Sequence, residues 1–545
     1  MAEVKKVVIV GGVAGGMSAA TRLRRLDESV EIVVIERGEH VSFANCGLPY
    51  VVGGVIPGRD DVLPHTPESL RRRFNLDVRT GQEALSIDPD GRVVEVRDLH
   101  GGGTYREPYD ELVLSTGARP IVPDVPGIER AHTLRDIPDM DGLLKDLDAG
   151  AHSAVVVGGG FIGLETTENL VRRGLDVTLV EASAQVLGHL DVEMARPVER
   201  ELRRNGVRLM LETAVTGVDG AGVALPDGSR VAADVVVLAI GVTPESELAA
   251  EAGAELGARR AIVVDERQRT SLPHVFAVGD AVVKRDRRGG ELLAPLANTA
   301  NRQGRLVADV IAGRDAGLRP TLGTAVLRVF DVVVASSGRS EAQLRRAGAD
   351  PRVVHTHPAS HAGYYPGAQP MSLKLCVDPD DDAILGVQGI GGEGVDKRID
   401  VVATAMSAGV TASGLADLEL AYAPQFGSAK DPVNMLGFIA ENLRDGVAGT
   451  VQWHALDAAV AAGAQLVDVR TAGEHAANRI PGAVNIPVDE LRDRIGEIGR
   501  EAIVHCAVGQ RGHTAARILA GHGVRVRNLD GGIRTWLAVF PEKDD

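Results

Sequence analysis

The pattern that most narrows the folds open to this chain is a strand, a glycine turn, a helix and a second strand ending in an acid, and it occurs twice. Val7-Val8-Ile9-Val10 runs into Gly11-Gly12-Val13-Ala14-Gly15-Gly16. A helix with small residues (Ser18, Ala19, Ala20) follows, and Ile32-Val33-Val34-Ile35 ends in Glu36. Further on, Ala154-Val155-Val156-Val157 enters Gly158-Gly159-Gly160-Phe161-Ile162-Gly163, and Val177-Thr178-Leu179-Val180 ends in Glu181. Unbroken apolar strands joined by an amphipathic helix predict parallel βαβ units. Backbone N–H groups at such a turn, with the positive end of the helix behind them, cradle a pyrophosphate. An α/β protein with two dinucleotide sites is therefore expected.

The second site has its three glycines in place, Gly158, Gly160 and Gly163, and Glu181 is spaced to accept from a ribose 2′-OH. A carboxylate there repels a 2′-phosphate, which favours NADH over NADPH. The bland alternative is a turn serving only close helix–strand packing. In the first site Gly11 and Gly16 fit, Val13 replaces the middle glycine, and Glu36 suits an adenosine ribose. A flavin beside a nicotinamide donor is the natural pairing of two such sites. Leu112-Val113-Leu114 leads into Ser115-Thr116-Gly117, and Val275-Phe276-Ala277-Val278 into Gly279-Asp280. Both read as strands delivering polar residues to the first nucleotide site, although Asp280 alone fits a helix N-cap equally.

The chain has 545 residues, enough for roughly three to four domains. From about residue 322 the texture changes to antiparallel strands at Val326–Val334, Arg352–His355, Ser372–Val377 and Ile384–Gln388, with a helix from Gly394 to Ala408. Arg444–Thr450 reads as a linker, and a small α/β domain follows it. The net charge of −16 disfavours nucleic acid and anionic membrane surfaces as partners, and no apolar run reaches transmembrane length. The start, Met1 to Lys6, has no signal-peptide pattern. Three separated cysteines, Cys46, Cys376 and Cys506, exclude a disulfide scaffold and a zinc ribbon. A reducing cytosol is expected. Cys376, within Leu373-Lys374-Leu375-Cys376-Val377, reads as a core residue. His357 and His361 have Pro358 between them and no third ligand, so no metal site is expected.

Cys46 lies in Ser42-Phe43-Ala44-Asn45-Cys46-Gly47-Leu48-Pro49-Tyr50, beyond a strand end where open sheets bind ligands. It is either a small buried hydrophobe or a thiol whose pKa a helix end or cation lowers. With the two glycine turns, Val278-Gly279-Asp280, Tyr422-Ala423-Pro424 and Lys430-Asp431-Pro432-Val433-Asn434, this segment resembles coenzyme A disulfide reductase over residues 4 to about 440. The resemblance implies glutathione-reductase-like FAD and NAD(P)H domains, an α+β dimerisation domain and a homodimer. It divides the chain into an FAD domain (1–120 and 246–321), an NAD(P)H domain (121–245), a dimerisation domain (322–441) and a linker (442–451). It also implies that Glu36, Thr116, Gly117, Gly279 and Asp280 hold FAD. Position 50 is Tyr where two-cysteine relatives carry the second thiol, so the resemblance makes coenzyme A the disulfide partner of Cys46. Arg22, Ser42, Asn45 and Lys430 become expected substrate contacts. Arg22 and Arg25 lie three apart on the first helix, on one face, and Arg71-Arg72-Arg73 is a second basic cluster, but the family's basic position falls near Phe74, and a solvated surface explains single arginines as well. Tyr422 and one of Tyr364 and Tyr365 match tyrosines brought across the dimer. Their hydroxyls either donate to a departing thiolate or serve as interface packing with a polar end.

The last domain, 452–545, resembles a rhodanese-like α/β domain in Asp468-Val469-Arg470, Arg479-Ile480-Pro481-Gly482-Ala483, the Cys506–Arg511 loop, and Gly531-Gly532 with Trp536. A cysteine between a buried strand and a helix N-terminus meets inward-pointing amides that stabilise a thiolate or persulfide, and Arg511 adds positive charge. A catalytically dead domain is the alternative. Two sulfur-reactive sites in one chain point to NADH-dependent reduction of coenzyme A persulfide, polysulfide or disulfide, with Cys506 carrying sulfane sulfur. Two alternatives stand beside this: an NADH oxidase or peroxidase working through a Cys46 sulfenate, and a non-catalytic redox-sensing interaction protein.

Overall fold

The structure is a computed structural model and describes residues 5–318 and 320–540, so the segment Met1–Val4 lies outside the described residues. The chain forms two compact units, Met1–Ala182 with Gly206–Gly323, and Ser183–Asn205 with Thr324–Asp545.

The first unit carries two all-parallel sheets. One has the strand order Val275–Ala277, Glu111–Leu114, Lys6–Val10, Glu31–Ile35, Asp77–Arg79. The other runs Arg208–Met210, Asp176–Val180, Ser153–Val157, Val235–Leu238. Val7, Val8 and Ile9 in the first, and Val155 and Val156 in the second, are completely buried. Their side chains alternate between the two faces of each sheet, so both faces are covered, as unbroken apolar runs require. Both glycine turns leave the carboxyl end of an inner strand, at Val10 and Val157.

The second unit holds an antiparallel sheet in the order Ala325–Val329, Val332–Gly338, Ile384–Gly391, Met371–Val377, Arg352–Thr356, with helices Val395–Ala408 and Pro432–Arg444. The single strand expected over Val326–Val334 is instead a hairpin. Val329 pairs with Val332, and Phe330 turns the chain in the left-handed region at φ 52°. A parallel sheet follows in the order Gly449–Val451, Arg525–Leu529, Glu501–His505, Gln465–Asp468, Val484–Asn485. Much of the expected linker is ordered structure. Helix Pro432–Arg444 reaches its first residue, and strand Gly449–Val451 takes its last two. Helix Val192–Arg204 follows the second nucleotide repeat in sequence yet packs within this unit, where Asp191 accepts from the N–H groups of Glu341 (3.0 Å) and Ala342 (2.9 Å).

Candidate active sites

The glycines of each turn are forced by sterics. A Cβ on Gly16 would lie 1.9 Å from the Gly11 carbonyl oxygen, and one on Gly163 would lie 1.9 Å from that of Gly158. Gly11 (φ 103°) and Gly158 (φ 110°) take a backbone that side chains disfavour. The acid closes each turn in the same way. Gly12 N–H donates to Glu36 Oε2 at 2.7 Å, and Gly159 N–H donates to Glu181 Oε2 at 2.6 Å. Neither following helix, Ala14–Leu26 or Phe161–Arg172, has a side-chain cap, and helix N-termini without one suit an anion. A Cβ on Gly160 would meet nothing within 4 Å, which leaves the middle of the second turn open to a close-lying ligand.

The residues around the first turn fit a flavin dinucleotide. Asp280 Oδ1 is buried and has no hydrogen-bond partner, an acceptor awaiting a hydroxyl donor. Burial pushes the Asp280 carboxyl upward, against the opposing charges of Lys284 and Arg135. Asp280 does not cap a helix, because the short turn Gly279–Ala281 is entered from Val278 without a side-chain cap. Gly279 (φ 82°) donates to Gln303 Oε1 at 2.9 Å and accepts from Lys284 Nζ at 2.6 Å. Thr116 Oγ1 donates to the Glu245 carbonyl at 2.5 Å, and Gly117 (φ 76°) continues that turn.

Cys46 sits on the exposed 3-10 turn Asn45–Gly47, directly before helix Leu48–Val52. Its thiol faces Asn45 Oδ1 at 3.7 Å. The expectation of a lowered pKa does not hold. Partial burial of the sulfur pushes the thiol upward by desolvating the thiolate, and the Glu165 and Asp280 carboxylates push it further, because negative neighbours disfavour a thiolate. Tyr50 donates to Glu165 Oε1 at 3.1 Å. Burial, then Glu165, hold its phenol well above the usual range. Burial also raises Glu165. Ser42 has φ 54° and donates its N–H to the Gly12 carbonyl at 2.8 Å, tying the Cys46 segment to the first glycine turn.

The expected substrate cations have varied surroundings. Arg22 pairs with Asp309 at 2.7 Å. Arg25 stacks over Phe74 at 5.1 Å. Arg71, Arg72 and Arg73 lie exposed on the last turn of helix Pro67–Phe74, where cations complement the helix dipole. Asn45 and Lys430 are exposed.

In the second unit the structure separates Tyr364 from Tyr365. The Tyr364 hydroxyl lies 2.9 Å from that of Tyr422, whereas Tyr365 stands edge-on to His361 at 5.6 Å between ring centroids. The loops carrying the hydroxyl pair are joined below it. Buried Arg398 donates through Nη2 to the Ser360 carbonyl (2.9 Å) and to Asp431 Oδ2 (3.0 Å), and Ala362 N–H donates to the Gly427 carbonyl at 2.9 Å. Sequence reasoning missed Arg398, because nothing local distinguishes it from a surface arginine. The two spaced histidines diverge: His357 bonds Ser372 Oγ and Thr535 Oγ1, both at 2.8 Å, while His361 Nδ1 lies 3.2 Å from the Ala362 carbonyl. Cys376 is buried in its strand, and burial drives its thiol upward.

Cys506 follows strand Glu501–His505 and precedes helix Gln510–Gly521. It is only 1% exposed, and Gly509 N–H donates to its sulfur at 3.1 Å. Gly509 reaches that geometry at φ 97°. Arg511 does not offer an unshared charge. It grips Glu474 bidentately at 2.7 and 2.6 Å, which holds the Glu474 carboxyl down at about 2. Asn528 Nδ2 donates to the Gly509 carbonyl at 3.0 Å, and the amides of Ile533 and Arg534 donate to the carbonyls of Cys506 (2.9 Å) and Ala507 (3.1 Å). Asp468 binds Arg470 (2.7 Å) and His475 (2.9 Å) and anchors the neighbouring strand end.

Comparison with known proteins places these sites in context. Residues 5–304 match the family described as pyridine nucleotide-disulphide oxidoreductase, residues 324–432 match its dimerisation domain, and residues 453–539 match the rhodanese-like domain. The coenzyme A disulfide reductase of Staphylococcus aureus is 33% identical over 441 residues, 80% of this chain and 100% of that protein. Among solved structures, reduced CoADR-RHD of Bacillus anthracis superimposes with a TM-score of 0.97 at 47% identity, covering 99% of both chains. The NAD-dependent persulfide reductase of A. fulgidus gives 0.90 at 38%, covering 97% of this chain and 100% of that one. The water-forming NADH oxidase of Lactobacillus brevis gives 0.78 at 27% and covers 81% of this chain and 99% of its own.

Proposed function

The chain belongs to the pyridine nucleotide-disulphide oxidoreductases, and from that membership we propose that it is an NADH-dependent reductase of coenzyme A persulfide, polysulfide and disulfide. The observation that carries this reading is the pairing, in one chain, of a solitary exposed Cys46, on a segment that Ser42 ties to the first nucleotide turn, with a loop-cradled Cys506. The full-length likeness to the Bacillus anthracis and A. fulgidus proteins supports it. The oxidase reading leaves residues 453–539 without a role.

FAD, held by the Gly11–Gly16 turn, Glu36, Thr116, Gly117, Gly279 and Asp280, supplies two-electron transfer from NADH to a disulfide. NADH is held by Gly158, Gly160, Gly163 and Glu181. Cys46 attacks the sulfur of coenzyme A persulfide or disulfide. It forms a Cys46–coenzyme A disulfide and releases hydrosulfide or coenzyme A thiolate. NADH, oxidised to NAD⁺, supplies two electrons and one proton, and a second proton from solvent completes the return of Cys46 and coenzyme A as thiols. Because burial, and after it Glu165 and Asp280, favour the thiol over the thiolate at Cys46, attack requires that its proton be removed as the disulfide forms. In the homodimer that the dimerisation domain supports, Tyr364 and Tyr422 are proposed to meet the Cys46 site of the opposite protomer and donate to the departing sulfur. Arg22, Ser42, Asn45 and Lys430 are proposed coenzyme A contacts, with Arg22 sharing its charge between Asp309 and a phosphate. Cys506, with Arg511 and the Gly509 amide, is proposed to carry sulfane sulfur.

The test is anaerobic NADH oxidation with coenzyme A disulfide, coenzyme A persulfide, polysulfide and peroxide in turn. Cys46→Ser is expected to abolish all reductase turnover, and Cys506→Ser to abolish sulfur transfer alone. Full turnover in Cys46→Ser, or a preference for peroxide, overturns the reading.

A further inference from the structure

The segment that holds the Cys506 loop is itself anchored outside its own domain. The carbonyls of Cys506 and Ala507 are fixed by the amides of Ile533 and Arg534, at the start of helix Gly532–Val539. That helix is entered through Asp530, Gly531 and Gly532, and the two glycines leave no room for side chains. A Cβ on Gly532 would lie 2.5 Å from the Cys506 carbonyl oxygen, and one on Gly531 would lie 2.9 Å from the Cβ of His355. The same short segment therefore touches the cysteine loop on one side and the antiparallel sheet on the other.

Asp530 is the fastening. Its Oδ2 accepts from the His355 backbone N–H (3.0 Å), from His355 Nδ1 (2.7 Å) and from Gln452 Nε2 (3.0 Å). His355 Nε2 reaches Glu193 Oε1 at 3.0 Å, and Lys374 Nζ lies 2.5 Å from that same oxygen. His355, Glu193, Asp530 and Lys374 are all at least nine-tenths buried. A buried charged group left without its partner is costly, so this row has one satisfied arrangement and no cheap alternative. A second bond, His357 Nε2 to Thr535 Oγ1 at 2.8 Å, holds the next turn of the same helix.

We infer that His355 is a positioning residue for sulfur transfer at Cys506, acting through Asp530 and the Gly531–Gly532 turn to set the carbonyls and amides of the cysteine loop. The inference rests on the sulfur-carrying role proposed for Cys506. Under it, the C-terminal domain is not a freely swinging module. Its cysteine loop takes its final geometry only when seated on the sheet.

The experiment uses the full-length holoprotein and the variants His355→Gln, Asp530→Asn and Cys506→Ser. Sulfur transfer from thiosulfate to cyanide is measured beside NADH-dependent reduction of coenzyme A disulfide. Amide hydrogen exchange is followed over residues 502–505 and 533–534. Both seating variants are expected to lower transfer about tenfold with disulfide reduction within twofold of the parent. Exchange is expected to rise at Ile533 and Arg534 and to stay unchanged at Ala502–His505. The combination separates loss of loop geometry from loss of the domain fold, which would expose the strand as well. Unchanged transfer in both variants, or exchange rising equally in the strand, overturns the inference. If Cys506→Ser retains transfer, the role of Cys506 itself is wrong, a result that the seating variants alone do not produce.

Discussion

The His355 contact predicts a pH-dependent stability of defined sign. Burial alone would depress the imidazole. The Asp530 carboxylate, by charge and hydrogen bond, and the Glu193 hydrogen bond overcome that against the opposing Lys374, and raise it from 6.5 to about 9. A raised folded pKa gives stability that is complete below 6.5 and is lost as pH rises through 9. For these two values the contribution is about 3 kcal/mol at pH 5.5, about 2 kcal/mol at pH 7.5, and under about 0.5 kcal/mol at pH 9.5. The neighbouring groups act outside this window or against it. Glu193 is held well below the carboxylate range by Lys374 and His355, despite its burial, so its share is lost only in acid. Lys374 is driven well above its usual value by Glu193 and Asp191, so its share is lost only in strong alkali. His357 is kept neutral first by burial and then by the His355 charge, so it destabilises on the acid side, and His355→Gln relieves only the second part of that shift. The assay is denaturant unfolding of the parent and His355→Gln from pH 5.5 to 9.5. Both of the chain's tryptophans, Trp453 and Trp536, lie in the C-terminal domain and report its unfolding. The parent should exceed the variant by an amount that shrinks with rising pH. A difference flat across that range refutes a cationic His355 between Asp530 and Glu193.

Three further outcomes follow from the nucleotide turns and the tyrosine pair. Gly16→Ala forces a 1.9 Å contact with the Gly11 carbonyl and should yield protein that loses its flavin absorbance on gel filtration, whereas Gly163→Ala should retain flavin and raise the KM for NADH at least tenfold. Glu181→Arg should reverse the preference between NADH and NADPH in steady-state kinetics, because it exchanges a carboxylate that repels a 2′-phosphate for a cation that binds one. Tyr422→Phe and Tyr364→Phe should each lower kcat for coenzyme A disulfide by about a hundredfold without changing the KM for NADH, and Arg398→Met should lower it less, by loosening both loops.

What the sequence made legible was what sterics and short-range order impose. The two glycine turns were readable because Gly16 and Gly163 sit where a carbonyl excludes any Cβ, and the Cys506 loop was readable because strand, loop and helix are contiguous. The electrostatics of Cys46 were not, since Glu165 and Asp280 reach it from distant parts of the chain. Tyr364 and Tyr365 are neighbours in loop sequence and no periodicity separates them. Which one meets Tyr422 depends on contacts between distant loops, among them Arg398 with Asp431 and Ala362 with Gly427. The break at Phe330 carries no glycine or asparagine to announce a turn, so an apolar hairpin reads as one strand. The attachment of helix Val192–Arg204 to the second unit was invisible because its partners, Glu341, His355 and Lys374, all lie far along the chain.

Asp191, Glu193 and Glu341 bring carboxylate oxygens within 4.8 Å of one another, a grouping with the spacing of a divalent-ion cage. The ammonium of Lys374 stands among them, 2.9, 2.5 and 2.7 Å from the three. The joint thus brings its own counter-ion, covalently tethered and immune to exchange. A chelator is therefore expected to leave the seating of the C-terminal domain unchanged.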